Sequence, residues 1–551
     1  MSLIVKAATY VTGRLWTDWE RRCADPATAQ NRLLLDMIQR NRATAFGTDH
    51  GFAAVRSLAD YRKQVAIGDY EWLRPYVERA EDGEAHVLTA EPVSMFTLTS
   101  GSTGAPKLIP VTATSRANHR QLTRLWYYRA NLDHPGLFSG KLLGVVSPAH
   151  EGKTAGNIPF GAASGLIYQS SPRWIQNAFA LPYEIAEVKD FNARYYLIMR
   201  LALEQRISFF GTPNPSTILR LVENADRAKD QIIRDIGDGT IAAGCNLTSS
   251  IRQALESRLK KNPGRAAELE RMVNHYGELR PKDYWPELQM IGCWKGGSVG
   301  VRLSEFHRWF GESMAVRDLG YMASEAQMTL PISDIGSAGI LDVGANFYEF
   351  IPESEIDNAR PTTLTCAELR EGDHYYVILT TPGGLYRYDI NDVVRVAGFY
   401  KRTPLIEFVR KGRDVTSITG EKLHVNQVIH AMIEAQTVAG IAVQHYRAFA
   451  DVAQSRYAFM VEFIGTQPTE IALKQLLSAL DANLNKLNME YAEKRQSQRL
   501  KSPVLCVMHG GWFDRKAAAA IQRSSRDTQF KAQLLSTTPE EAGETWLTIH
   551  I

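Results

Sequence analysis

The apolar positions change their period as the chain proceeds. Near the start Leu33, Leu34, Met37 and Ile38 recur at helical spacing, Asp25-Pro26 can open the helix they predict, and Gly47 can stop it. From about Phe96 short runs of aliphatic and aromatic residues take over. Residues 95–98, 142–146, 207–210 and 288–293 read as strands, and they alternate with the longer helix-compatible stretches 116–129 and 195–204. Such alternation predicts α/β layering. Gly211-Thr-Pro-Asn-Pro215 and Lys295-Gly-Gly-Ser298 close two of these strands, and loops of that kind commonly build sites.

Between residues 375 and 409 Val, Ile, Tyr and Phe become dense, interrupted by Pro382-Gly383-Gly384 and Arg402-Thr-Pro404, so a mainly β segment is expected. After Arg410-Lys-Gly-Arg-Asp414 a second α/β unit begins, with strands predicted at 440–447 and 458–464 and an amphipathic helix at 471–486. The predicted division is a large domain over 1–411 and a small one over 412–551. No internal repeat interrupts this order.

Composition narrows the functional classes. With 44% hydrophobic and 22% charged residues the chain is an ordinary globular protein, and a formal net charge of +3 gives no general attraction to nucleic acid or anionic membrane. Asp18, Glu20, Arg21 and Arg22 follow the N-terminus too soon for a secretory signal, and no apolar run reaches spanning length, so a cytoplasmic protein is expected. Cys23, Cys245, Cys293, Cys366 and Cys506 are odd in number and form no C-x-x-C pair, which argues against a disulfide framework or a cysteine zinc site.

Candidate chemistry begins at Phe96-Thr-Leu-Thr-Ser-Gly-Ser-Thr-Gly-Ala-Pro-Lys-Leu-Ile-Pro-Val-Thr112. Gly101 and Gly104 permit close backbone approach to an anion, Thr99, Ser100, Ser102 and Thr103 bring hydroxyls, and Lys107 brings an opposite charge. The spacing is not that of a Walker loop, because Lys107 lies between Pro106 and Leu108. A plain turn has the same composition, so support must come from other segments. In Tyr321-Met-Ala-Ser-Glu325 an aromatic ring can stack on a purine and a carboxylate can hold Mg²⁺; a core aromatic and a capping acid would look the same. In Gly384-Leu-Tyr-Arg-Tyr-Asp-Ile-Asn-Asp-Val-Val-Arg395 two acids interrupt an apolar strand, and Asp392 can accept a pair of sugar hydroxyls. The alternative there is a hairpin turn whose acids pair with Arg387 and Arg395. Lysines in Ile418-Thr-Gly-Glu-Lys-Leu423 and Arg526-Asp-Thr-Gln-Phe-Lys531 complete the set.

Taken in order, these segments resemble the adenylate-forming superfamily, and within it the acyl acid amido synthetases known as auxin-inducible plant enzymes with bacterial relatives. Val65-Ala-Ile-Gly-Asp-Tyr-Glu-Trp72 with Pro75-Tyr-Val-Glu-Arg79 is similar to the family's N-terminal segment, 321–325 to its second nucleotide motif, and 384–394 to its third. Asp389-Ile-Asn391 departs from the Arg-Val-Gly common in relatives. The resemblance implies an α/β protein with a large N-terminal domain of β-barrel and α/β sheet subdomains, a small mobile C-terminal α/β domain, and an active site between them. It implies ATP and Mg²⁺ as cofactors. Ser100 to Thr103 would contact phosphate, Gly296, Gly297 and Ser298 would meet the adenine edge, and Tyr321 would stack on adenine beside Ala323 and Ser324. Glu325 would hold the metal, Asp392 the ribose, and Lys422 and Lys531 would act catalytically.

A carboxylate is a poor electrophile until its oxygen joins a good leaving group, which attack on the α-phosphorus of ATP provides. An amine, expected to be that of an amino acid, then takes the acyl group, and AMP departs. Leu125, Trp126 and Tyr128, the loop Phe210–Pro213 and Met322 are candidates for the acyl pocket, and Arg120 or Arg124 for pairing with a substrate carboxylate. Transfer to coenzyme A or a carrier thiol is the second reading, and a non-catalytic binder of nucleotide or carboxylic acid is the third. Small-molecule substrates are the only partners expected.

Overall fold

The computed structural model describes residues 3–99, 107–170, 173–296, 303–356, 358, 360–412, 415–416, 418–419, 421, 423–463, 465, 467–524, 534–536 and 544–551. They form two compact units, Met1–Val409 and Arg410–Ile551, and the chain passes from one to the other within the strand Thr403–Lys411.

The larger unit opens with helices Leu3–Ala24 and Pro26–Arg40, the second capped by the Asp25 carboxylate on the Thr28 N–H at 3.4 Å. This helix stops at Arg40, before the expected Gly47. Asn41 returns its N–H to Met37 O, and Thr44 caps a separate short helix, Ala45–Asp49, through the Gly47 N–H at 3.0 Å. Gly47 is needed there for closeness, since a Cβ on it would lie 2.1 Å from Asn41 O.

Among the described residues of this unit three sheets follow. In the first, Lys107–Val111, Met95–Thr99, Pro159–Gly161 and Gly152–Lys153 lie in that order, with Lys107–Val111 at the edge. The second is wholly parallel: Lys141–Gly144, Ile207–Gly211, Met290–Gly292 and Ala315–Arg317. Its strands end in register at Gly144, Gly211 and Gly292 beside Arg317, and the Phe209 ring lies across two of these glycines, 2.5 Å and 2.8 Å from where their Cβ atoms would be. Side chains are thus removed from the carboxyl end of a parallel sheet, where ligands bind in open α/β folds. Helix Ala113–Asp133 covers one face of it, burying Leu122, Leu125, Trp126 and Ala130 with Phe209 and Met290.

The third sheet runs Phe347–Pro352, His374–Thr380, Tyr388–Tyr400, Thr403–Lys411, Gly339–Leu341, Thr329–Leu330. It accounts for the β-rich stretch seen in the sequence. Its core is shared with the N-terminal helices through Leu34, Phe46, Tyr61, Tyr348, Leu379 and Tyr386.

The smaller unit is built on a five-stranded sheet in the order Leu535–Ser536, Val443–Asp451, Arg456–Phe463, Val504–Met508, Thr545–His550. Helices Val425–Ala439 and Glu470–Leu487 pack against its buried face. The strand expected from 440 starts at Val443 because Gly440, at φ 65°, terminates the preceding helix in the left-handed conformation.

Candidate active site

Met95–Thr99 and Lys107–Val111 pair antiparallel, with Thr99 opposite Lys107. The two residues therefore stand at the base of the glycine-rich segment. Ser100, Gly101, Ser102 and Thr103 lie outside the described residues. The Lys107 ammonium sits over the Tyr70 ring, 5.4 Å from its centroid, an attraction between a cation and the negative ring face.

Tyr321 to Glu325 form one side of a tight hairpin: Met322 bridges Gln327, Ala323 N–H donates to Ala326 O at 2.9 Å, and Met328 N–H donates to Tyr321 O at 2.9 Å. Glu325 is half-buried near its tip. This hairpin touches the strand that leads to the glycine-rich segment, with Thr97 Oγ1 donating to Ser324 O at 3.2 Å and Ser324 Oγ donating to Leu98 O at 3.4 Å.

Tyr321 also reaches the third segment. Its hydroxyl donates to Asp392 Oδ2 at 2.6 Å, and both residues are buried. Burial first, then the Asp392 charge, pushes the phenol well above its usual range, so it stays a donor. One face of the ring lies on Phe408 with centroids 5.6 Å apart. Asn391 adopts φ 57°, the left-handed conformation that Asn tolerates, and Asp389 Oδ1 accepts its N–H at 2.7 Å. The two arginines of the alternative pairing have other partners: Arg387 binds Glu349 at 2.8 Å and Arg395 binds Glu407 at 2.6 Å.

Gly296 joins the same group, because a Cβ there would stand 3.1 Å from Ser337 Oγ and 3.3 Å from Phe408 O. Gly297 and Ser298 lie outside the described residues. The segment leading to Gly296 is held by Asp318, whose carboxylate accepts Lys295 N–H at 2.6 Å and Gly320 N–H at 2.7 Å. Sequence reasoning missed Asp318, since nothing in Asp318-Leu-Gly-Tyr321 shows that its partner is a backbone amide some twenty residues earlier. Burial raises this carboxyl to about 6, against the pull of those amides. The folded protein thus holds the Asp318 proton more tightly than the unfolded chain. The stability this supplies is complete below about pH 4 and lost as pH rises through about 6. Asp318→Asn removes that titration. The wild-type minus variant difference in thermal midpoint should fall between about pH 4 and about pH 6 and stay level above, and a level difference throughout would assign the titration to another group.

The acyl-pocket candidates take different partners. Phe210 is fully enclosed against Trp285 and Phe310, Leu125 is core, and Trp126 gives its indole N–H to Asp318 O at 2.9 Å. Tyr128 leans on Trp16 of the first helix, and Arg120 and Arg124 are exposed. Pro213 O accepts Trp294 N–H at 2.8 Å, and Met322 alone of this set lies in the Tyr321 hairpin. Helical spacing reveals which residues share a face but not which face meets the core.

In the smaller unit Lys422 and Lys531 lie outside the described residues. The residue before Lys422, Glu421, is fully buried and accepts Ile418 N–H and Thr419 N–H at 2.8 Å each and the Tyr457 hydroxyl at 2.8 Å. Burial opposes ionisation there, but those donors outweigh it and hold the carboxyl below its usual value. Among the described residues no cluster of three or more His, Cys, Asp or Glu could hold a metal, and no helix is long and apolar enough to cross a membrane.

Three family models match the chain in succession: the GH3 family N-terminal domain over residues 17–315, the GH3 family central domain over 339–411, and the GH3 family C-terminal domain over 426–540. Jasmonoyl–L-amino acid synthetase JAR4 of Nicotiana attenuata is 22% identical, with 97% of this chain and 94% of the relative covered. The solved AtGH3.15 acyl acid amido synthetase in complex with 2,4-DB superposes with a TM-score of 0.86 at 19% identity, covering 98% of this chain and 97% of that one. A 2-hydroxyisobutyryl-CoA ligase in the postadenylation state, in complex with 2-HIB-AMP, gives 0.52 at 12% identity over 94% and 91%. With all three domain models matched in order, the chain belongs to the GH3 family.

Proposed function

We propose that the protein activates a small aryl, indole or alkyl carboxylic acid with ATP as an acyl adenylate and transfers the acyl group to an amine, most simply that of an amino acid. The observation that carries this reading is the meeting of three distant segments in the larger unit. The base of the glycine-rich hairpin touches Ser324, and Tyr321 touches Asp392. A phosphate loop, a carboxylate for a metal and a carboxylate for a ribose are the parts that a bound adenosine phosphate needs close together.

The donor set fits these groups. Mg²⁺ is usually held by one or two carboxylates with substrate phosphates completing its shell, so Glu325, one half-buried carboxylate beside the hairpin, suits it. When bound, the metal screens the repulsion between the two anions that must react. Asp392 would take the ribose hydroxyls, Gly296, Gly297 and Ser298 the adenine edge, and Tyr321 an adenine face through the side away from Phe408. Thr99 and Ser100 to Thr103, with Lys107, would donate to the phosphates, and Lys422 and Lys531 would carry the catalytic positive charge of the smaller unit. Removing one such transition-state donor costs on the order of a hundredfold to a thousandfold in rate.

Acid-dependent exchange of labelled pyrophosphate into ATP, across aryl, indole and fatty acids, tests the first half-reaction. Exchange with at least one acid is expected, and nucleotide binding without exchange for every acid would leave a binder only. The likeness to a CoA ligase keeps a thiol acceptor as the second reading. Mass spectrometry of products formed with coenzyme A or mixed amino acids decides between them: an amide is expected, and a thioester with no amide would reverse the order.

A further inference from the structure

The segment Val65-Ala-Ile-Gly-Asp-Tyr-Glu-Trp72 has no part in the chemistry so far, yet it touches two of the three site segments. Lys107–Val111 is an edge strand. In an antiparallel pair alternate residues turn their N–H and C=O away from the partner. Leu108 and Pro110 are those residues here. Pro110 has no N–H to satisfy, and its carbonyl is covered by Gly383, whose Cβ would lie 2.5 Å from it. Leu108 presents both groups, and one hydroxyl takes both: Tyr70 Oη donates to Leu108 O at 3.2 Å and accepts Leu108 N–H at 3.0 Å. The same ring carries the Lys107 ammonium. Two residues earlier, Gly68 N–H donates to Arg387 O at 3.2 Å and Gly68 O accepts Asp389 N–H at 2.8 Å, a short parallel bridge to the segment of Asp392. Gly68 must be glycine, since a Cβ would lie 2.3 Å from the Trp72 ring. Between the two attachments Asp69 caps the helix Tyr70–Glu81 through the Trp72 N–H at 3.2 Å.

We infer that Gly68-Asp-Tyr70 is a strut fixing the phosphate hairpin against the ribose-binding strand, with Tyr70 as the positioning residue that substitutes for a missing neighbour strand at Leu108. Tyr70 touches neither substrate nor metal in this scheme. It sets where Lys107 and the loop beyond it stand relative to Asp392. The inference rests on the adenylating reading for its catalytic consequence, but not for its structural one.

Hydrogen exchange of the whole protein provides the structural test. In the wild type the Leu108 amide should be as protected as the ladder amide of Ile109, although it faces away from the sheet; rapid exchange at Leu108 overturns the clasp without need of any variant. Tyr70→Phe keeps the ring under Lys107 and removes the hydroxyl. It should speed exchange at Leu108 by about tenfold or more and lower kcat for pyrophosphate exchange about tenfold, with KM for ATP changed less than about threefold. Tyr70→Leu, which also removes the ring, should lower kcat further. A folded Tyr70→Phe protein with wild-type kcat, or with a raised KM alone, overturns the positioning role. If the wild type shows no pyrophosphate exchange whichever acid is supplied, the adenylating reading falls, and the Leu108 protection of the two proteins still decides whether the strut exists.

Discussion

Asp392→Ala should raise the KM for ATP by about ten- to a hundredfold, with a smaller effect on the KM for the acid. A hydrogen bond to a charged group contributes about 1.5–3 kcal/mol when its partner would otherwise be buried unpaired, which sets that range. The structure makes the outcome readable because it gives Asp392 a role in the fold. It is the acceptor of the Tyr321 hydroxyl at 2.6 Å, so the alanine variant also strands a buried phenol and loses stability. Asp392→Asn separates the two. The amide oxygen can still accept from Tyr321, so the thermal midpoint should stay close to wild type, while loss of the charge should still weaken nucleotide binding. Calorimetric titration of ATP into each variant is the measurement, and unaltered affinity in both would leave Asp392 a structural role only.

The second large effect is on stability. Arg387 is almost fully buried, adopts φ 45°, and spends its whole guanidinium on fixed partners: Glu349 at 2.8 and 3.1 Å, Val65 O at 2.9 Å, Arg62 O at 3.3 Å and Thr363 Oγ1 at 3.4 Å. A non-glycine residue in the left-handed region persists only where its surroundings over-determine it. Glu349 is itself 1% exposed and shared with Arg62 at 2.8 Å. Arg387→Met keeps the length and removes the charge, leaving Glu349 buried with one partially exposed partner. Breaking a buried pair from one side costs about 3–5 kcal/mol, so the urea midpoint of the larger unit should fall clearly. Arg387→Lys should recover little of this, because one ammonium cannot reproduce the bidentate fork. An unchanged midpoint in the methionine variant would show that the pair contributes nothing net.

The α/β reading was legible because burial imposes a period on the chain. The strands at 207–210 and 458–464, and the helix at 471–486, were found within a few residues of Ile207–Gly211, Arg456–Phe463 and Glu470–Leu487, since each has one face that must avoid water. Ends were less legible. The helix that was expected to run towards Gly47 stops at Arg40, where local caps at Asn41 and Thr44 win over a distant glycine. The segments proposed to bind nucleotide stand out by residue type: glycines and hydroxyls beside a lysine, an aromatic beside an acid, an acid within an apolar strand. Residue type says less about an acyl pocket, because Trp126, Phe210 and Tyr128 have the same character whether they line a cavity or fill a core.

What the chain settled by itself, then, is which period each element follows, because that depends on side chains a few positions apart. What only the folded protein decided is who meets whom. Tyr70 on Leu108, Asp318 on Lys295 and Arg387 on Glu349 are bonds between groups from 23 to 38 positions apart, and Tyr321 on Asp392 spans 71. Each forms because a buried polar group must find a partner, and the partner is whatever the packing of sheets and helices brings within reach.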